Sequence, residues 1–170
     1  IVEGDTEYTA FKHVVSQDPE KFKNVHIIRA RGKDTIVSLI KILNHFGSSY
    51  SILHDSDRPF TDKKKNNGEF KKNKAWSTNE NIISAVNKHY DPTQVRLLAS
   101  IPNFEEAYFG EEAKGEKPYN ALMTIKEDIV AFQKISDLLY ALVNHGAPVP
   151  QGCLQWKETI ELQDAIEMYQ

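Results

Sequence analysis

Four short apolar runs, each followed by a stretch of helical periodicity, constrain this chain more than any other feature. Ile1-Val2 reads as the end of a strand. Thr6 to Ser16 then carries apolar residues on one helix face at Tyr8, Phe11, Val14 and Val15. Val25 to Ala30 is a second strand, and Asp34 caps a helix running to His45 with Ile36, Leu39, Ile40 and Leu43 on its inner face. Gly47 ends that helix, and a third strand spans Tyr50 to His54. Ser77 or Thr78 caps a further helix from Asn79 to His89, placing Ile82, Ile83 and Val86 inward; Val95 to Ala99 is a fourth strand. Strands alternating with helices predict an α/β fold with a four-stranded parallel sheet flanked by helices, and such sheets form sites at the carboxyl ends of their strands.

From Lys117 onward the pattern becomes helical. Tyr119 to Asn144 has helical spacing at Ile125, Ile129, Phe132, Ile135, Leu138, Leu139 and Leu142, with one break expected. The stretch from His145 to Pro150 stops it, and a last helix is expected from Leu154 to Tyr169. This divides the chain into a catalytic core over residues 1–116 and a helical subdomain over residues 117–170. No apolar run approaches the roughly 20 residues a membrane span needs, so no membrane partner is expected. A single cysteine, Cys153, excludes an internal disulfide and a thiolate metal cluster, and fits a cytoplasmic location. The sequence opens at Ile1 in mid-strand, so a longer parent protein is expected. The net charge of −3 is too small to name a partner, but six lysines stand between Lys63 and Lys74.

The strand ends collect acids. Glu3 follows the first run and Glu7 lies one helical turn on; Asp55 and Asp57 follow the third; Glu105 and Glu106 follow the fourth. Asp55 and Asp57 alternate, so both face one side if the chain stays extended. Carboxylates brought together in this way repel unless protons or cations compensate them. Hard oxygen donors select Mg²⁺, Mn²⁺ or Ca²⁺, and two such ions about 4 Å apart support phosphodiester cleavage or phosphoryl transfer.

The stretches "VEGDTE" and "LHDSDRP" resemble the paired acidic motifs of the Toprim domain found in topoisomerases, bacterial primases and several nucleases. With "AWSTNENI" and "IPNFEEAYFG", the pattern resembles the carboxy-terminal nuclease region of the OLD (overcoming lysogenization defect) family, most like its class 2 members. The motifs cover roughly Ile1 to Gly110. The resemblance implies the Rossmann-like Toprim fold and a metal-dependent DNA endonuclease acting in phage defence or DNA processing. Glu3 and Glu7 match the first acidic pair, Asp55 and Asp57 the Asp-x-Asp motif, and Glu105 or Glu106 a later acid. Two Mg²⁺ or Mn²⁺ ions are implied, with Ca²⁺ as a non-native occupant; Glu3 and Asp55 are the catalytic acids. A lysine near the metals is also implied, with Lys157 favoured over Lys117. The family further implies an amino-terminal ABC-type ATPase, through which alone ATP would act, and a homo-oligomer of the full-length protein. No Gly-x-x-x-x-Gly-Lys-Ser/Thr motif occurs in these residues.

Each residue also has a plainer reading. Asp5 is expected to cap the first helix, and Gly4 to supply its tight turn. The lysine run reads most simply as a solvated loop, with Lys63, Lys64, Lys65, Lys71 and Lys72 as the candidates for DNA phosphate. Arg58 can pair with Asp57 or contact a phosphate, and Pro59 ends the strand. His54 reads as a packed core residue rather than a ligand. Phe104, Tyr108 and Phe109 read as packing, and Trp76 and Trp156 as cover for the junction with the helical part. The alternatives are another nucleotidyl-transfer Toprim enzyme, primase- or topoisomerase-like, and a non-catalytic Toprim DNA-binding module. A haloacid-dehalogenase-type phosphatase is disfavoured because its Asp-x-Asp follows the first strand.

Overall fold

The structure, a computed structural model, describes residues 1–110 and 115–169. Its central sheet has three strands in the order β1 (Tyr50–Asp55), β4 (Val95–Ser100), β5 (Cys153–Gln155). β1 and β4 run parallel, pairing Ile52 with Leu97 and Leu53 with Leu98. β5 runs antiparallel to β4, with Ala99 opposite Leu154. The sheet is therefore mixed and three-stranded, not the expected four-stranded parallel one. The first two expected strands shrink to single parallel bridges, Val2 to Leu53 and Val2 to Arg29. The Ile1-Val2 segment is still bonded on both sides: Val2 N–H donates to Ile28 O at 2.9 Å, while Leu53 N–H donates to Ile1 O at 2.9 Å.

Alternation along the strands sorts the core into two layers, because successive side chains leave a strand on opposite faces. Leu53 and Leu98 enter one cluster with Phe11 and Val14 of α1 (Asp5–Gln17), Ile125 of α5 (Lys117–Glu127) and Ile135, Leu138 and Leu142 of α6 (Ile129–Val143). Ile52, Leu97 and Ala99 enter the other, with Ile36 and Ile40 of α2 (Lys33–His45), Ile82 of α3 (Lys74–Val86), Trp156, and Leu162 and Ile166 of α7 (Thr159–Tyr169). Trp156 thus lies in the core, while Trp76 packs partly buried at its edge. The expected helical stretch is broken once, at Asp128, whose side chain accepts from Val130 N–H and restarts the chain as α6. That places Ile129 in an exposed first turn rather than in the core.

Several local expectations give way to tertiary partners. Asp5 is the first residue of α1, not its cap, and pairs with Arg29 Nη1 at 2.8 Å. Asp34 lies inside α2 and accepts from Thr78 Oγ1 and Lys74 Nζ. Asn73, not Ser77 or Thr78, caps α3 by accepting from Ala75 N–H. The segment after Lys117 is not purely helical, since β5 fills the edge beside β4. The lysine run is not a plain loop: β2 (Phe60–Lys64) and β3 (Phe70–Lys72) form their own antiparallel ribbon. A short helix, α4 (Phe104–Phe109), follows β4. Among the described residues no helix is long and apolar enough to cross a membrane.

Candidate active site

The carboxyl edge of the sheet gathers side chains from four chain segments. Glu3 leaves the Val2 bridge, and its Oε2 accepts the Asp55 N–H at 3.1 Å, tying the first segment to the tip of β1. Asp55 turns its Oδ1 toward the next segment, where it accepts the Phe104 N–H at 2.8 Å at the start of α4. Glu7 comes from the first turn of α1 and is buried. Gly4 makes room for it: a Cβ there would stand 3.1 Å from Glu7 Oε2. Gly4 has φ −124°, so clearance rather than a left-handed turn explains the glycine.

The strand does not continue extended past Asp55. Ser56 N–H donates to Ser100 O, and Asp57 N–H to Pro102 O, each at 2.9 Å. Asp57 adopts φ 62°, a left-handed conformation that Asp tolerates better than most residues. This bend, not strand alternation, aims Asp57 at Lys33. Lys33 Nζ donates to Asp57 Oδ2 and to Asp55 O, both at 2.5 Å, and lies 3.4 Å from Ser56 O. Asn79 Nδ2 also donates to Ser56 O, at 2.9 Å. The tip of β1 is thus held by a buried lysine and a buried asparagine, neither of which stood among the expected site residues. A signal for Lys33 existed: Gly32-Lys33 follows the second strand-like run, at the same edge as the acids.

The two glutamates of α4 separate. Glu105 is buried, accepts from Thr6 Oγ1 at 3.2 Å, and has Lys117 Nζ at 3.7 Å. Glu106 is engaged with the α4 cap residue Asn103: its N–H donates to Asn103 Oδ1 at 2.9 Å, and Asn103 Nδ2 donates to Glu106 Oε1 at 2.6 Å. Its other oxygen lies 3.6 Å from Arg58 Nη2, so the ion pair of Arg58 is with Glu106 rather than Asp57. Lys157 is exposed, and its own N–H donates to Glu161. Of the two candidate lysines, Lys117 is the one bonded into the acid group. Lys63, Lys64, Lys65, Lys71 and Lys72 are all exposed on the ribbon.

Burial sets the protonation of the cluster. Glu7 is pushed up to about 7, first by burial and then by the charges of Glu3 and Glu105. Asp55 is raised well above the usual carboxylate range by burial, then by Glu7, Glu3 and Asp57. Glu3 is raised by burial, against the opposing charge of Lys33. His54 is driven far below its usual value by burial. Trp156 Nε1 donates to His54 Nε2 at 3.2 Å, which leaves His54 Nδ1 to donate to Asp55 O at 2.7 Å. Both ring nitrogens are used, so His54 is a core residue bracing the strand tip.

Among the described residues no three His, Cys, Asp or Glu side chains stand at ligand spacing around one point. The donor chemistry nevertheless fits a hard divalent cation. Glu3 and Asp55 each commit one carboxylate oxygen to a backbone N–H, and the acids present oxygen alone, without thiolate or imidazole.

Residues 1–57 match the family model described as overcoming lysogenization defect protein-like, TOPRIM domain. The match covers 57 of the 170 residues, about a third of the chain. Within this OLD-like Toprim segment lie Glu3, Glu7, Lys33, Asp55 and Asp57; Glu105, Glu106, Lys117, Lys157 and the ribbon lie outside it. The match supports a nuclease- or nucleotidyl-transfer-type Toprim function. No curated protein and no solved structure matches the chain.

Proposed function

We propose that this chain is the nuclease part of an OLD-type enzyme, cleaving DNA phosphodiester bonds with Mg²⁺ or Mn²⁺ held by Glu3, Glu7, Asp55, Asp57 and Glu105. The observation that carries this reading is the bond from Asp55 N–H to Glu3 Oε2, which joins two distant acidic motifs at one sheet edge beside Glu7. Such an edge, with acids whose protonation burial has already raised, is where a dication replaces protons at neutral pH. A pair of cations bound there supplies Lewis acidity for the attacking and leaving oxygens.

The chain's own residues do the remaining work. Asp55 and Glu3 fix the cradle, since each is anchored by a backbone N–H. Lys33 holds the bend that carries Asp57. Lys117 stands beside Glu105, placed to meet negative charge on a phosphate, and Lys157 is the weaker choice for that role. Arg58 and the ribbon lysines 63, 64, 65, 71 and 72 offer cationic contacts for the flanking DNA backbone. In this reading residues 1–116 carry the acids, while 117–170 add Lys117, the β5 strand beside β4, and helices packed into both core layers. In the whole protein an amino-terminal ATPase, oligomerisation, a cytoplasmic location and a role in phage defence follow from the family reading.

Plasmid nicking with Mn²⁺ or Mg²⁺ tests the proposal. Wild type is expected to relax supercoiled plasmid, and Asp55→Asn to lose at least about a hundredfold of that rate. Equal nicking by both proteins removes the assignment. One observation favours the non-catalytic DNA-binding module instead: Lys33 already neutralises Asp57. Absence of nicking by wild type under every divalent ion, with DNA binding retained, would establish that reading.

A further inference from the structure

The β2–β3 ribbon carries two phenylalanines that no core requires. Phe60 is 54% and Phe70 50% exposed, and neither belongs to either core cluster among the described residues. The pairing register sets Phe60 opposite Lys72 and Lys64 opposite Phe70. The register shifts between Phe60 and Lys64 on β2, but Phe70 and Lys72 stand two apart on β3 and so share a face, which sets their opposed partners Lys64 and Phe60 on that same side. Lys64 Nζ sits 5.2 Å from the Phe70 ring centroid. From Phe60 to Lys74 there are six lysines against Asp62 and Glu69, and Glu69 is paired with Lys65 at 3.0 Å. Two-stranded ribbons are marginal on their own, and half-exposed rings add solvation cost without core packing. This ribbon is closed at its base by the bond from Asn73 N–H to Pro59 O at 2.9 Å.

We infer that this face binds single-stranded DNA, its two phenyl rings stacking on bases while Lys64 and Lys72 meet the phosphates between them. The chemistry selects the partner. Alternating rings and ammonium groups match a polymer that alternates aromatic faces with anions, and only an unpaired strand exposes its base faces. A solvated charged ribbon would carry the lysines without the rings. Position gives the interaction its use: Phe60 is three residues beyond Asp57, so the first ring is within about 10 Å of chain length from the acids. A strand lying on the ribbon is thereby delivered to the carboxyl edge. This use rests on the cleavage reading above, whereas the binding itself does not.

Fluorescence anisotropy in EDTA, with a labelled oligothymidylate and a duplex of equal length, separates the two. Wild type is expected to bind the single strand about tenfold or more tighter than the duplex. Phe60→Leu with Phe70→Leu, which keeps apolar bulk but removes the π faces, is expected to lose about tenfold on the single strand, with an unchanged salt slope. Phe60→Trp with Phe70→Trp should restore it. Lys64→Gln with Lys72→Gln should instead flatten the slope of log affinity against log salt by about one to two. Duplex bound as tightly as the single strand, or leucine variants binding as wild type does, overturns the inference. Wild type that binds the single strand in EDTA but never nicks with Mg²⁺ or Mn²⁺ sinks the cleavage reading alone, whereas nicking by wild type together with leucine variants that bind as wild type does sinks this inference alone.

Discussion

Lys33 Nζ lies 2.5 Å from Asp57 Oδ2, joining the first turn of α2 to the bend after β1 across 24 residues of sequence. The lysine side chain is 4% exposed and Asp57 26%. An internal cation is therefore part of the edge that collects the acids, and it also holds the carbonyls of Asp55 and Ser56.

Removing that cation should loosen the bend. Lys33→Met preserves much of the bulk but leaves Asp57 without its cation, while the Asp55 and Ser56 carbonyls keep only His54 Nδ1 and Asn79 Nδ2. Breaking a buried pair from one side costs about 3–5 kcal/mol, and the partial exposure of Asp57 reduces the expected loss to about 2 kcal/mol. Urea unfolding measures it. Mn²⁺ should stabilise the variant more than it stabilises wild type, because a dication can take over the vacated role at Asp57. Equal stability of variant and wild type without metal would mean that Lys33 does not hold the bend.

Stability should also depend on pH through Glu7. Its value in the folded chain is about 7, against 4.5 for the ordinary group, so the folded state binds this proton more tightly than the unfolded state. The associated stability is fully present below about pH 4.5 and is lost as pH rises through 7. A shift of this size corresponds to roughly 3 kcal/mol. In EDTA, Glu7→Gln should reduce the pH dependence, leaving the part that Asp55 and Glu3 supply, and make the protein more stable than wild type at pH 8. Thermal melts across pH 5 to 8 that superimpose for the two proteins would exclude Glu7 as the source.

His54 and Trp156 make a second, metal-independent prediction. His54→Leu leaves the buried Trp156 Nε1–H without its partner, at about 1–3 kcal/mol, and removes one of the two donors to the Asp55 carbonyl, which keeps Lys33. Trp156→Phe leaves the indole's partner His54 Nε2 unpaired and also opens space in the core. Both should lower the unfolding midpoint, and His54→Leu should shift Trp156 fluorescence in the folded state. A midpoint for His54→Leu within experimental error of wild type would contradict the bracing role.

The legible parts of this molecule were those fixed by local pattern. Helical spacing located α1, α2, α5 and α6, and strand-end acids located Glu3, Glu7, Asp55 and Asp57 at one edge. What stayed hidden depended on distant partners. Val2 and Arg29 make only bridges, so runs that look like strands contribute little regular sheet. β5 has three residues and no alternation of its own; it exists because the edge of β4 is there to pair with. The ribbon was masked by lysines, which disfavour strands, although Asn67-Gly68 between Phe60 and Phe70 is a recognised hairpin turn signal. Lys33 is a cation beside Gly32, and the bend at Asp57 is what brings that acid to it.

Glu105 and Glu106, adjacent in sequence, should separate cleanly by substitution. Glu105 is buried beside Thr6, and its charge raises both Glu3 and Glu7, so it belongs electrostatically to the acid group. Glu106 serves the amino terminus of α4 through Asn103 and holds Arg58. Glu105→Gln is expected to weaken Mn²⁺ binding, followed by titration calorimetry, about tenfold while leaving the fold intact. Glu106→Gln keeps a hydrogen-bonding side chain at the cap and loses only the pair with half-exposed Arg58, so its stability should change by less than about 1 kcal/mol and its Mn²⁺ affinity by less than about twofold. The reverse ranking, with Mn²⁺ binding sensitive to Glu106 and indifferent to Glu105, would transfer the third acidic contribution to the exposed side of α4 and place the cation nearer Arg58 than Lys117.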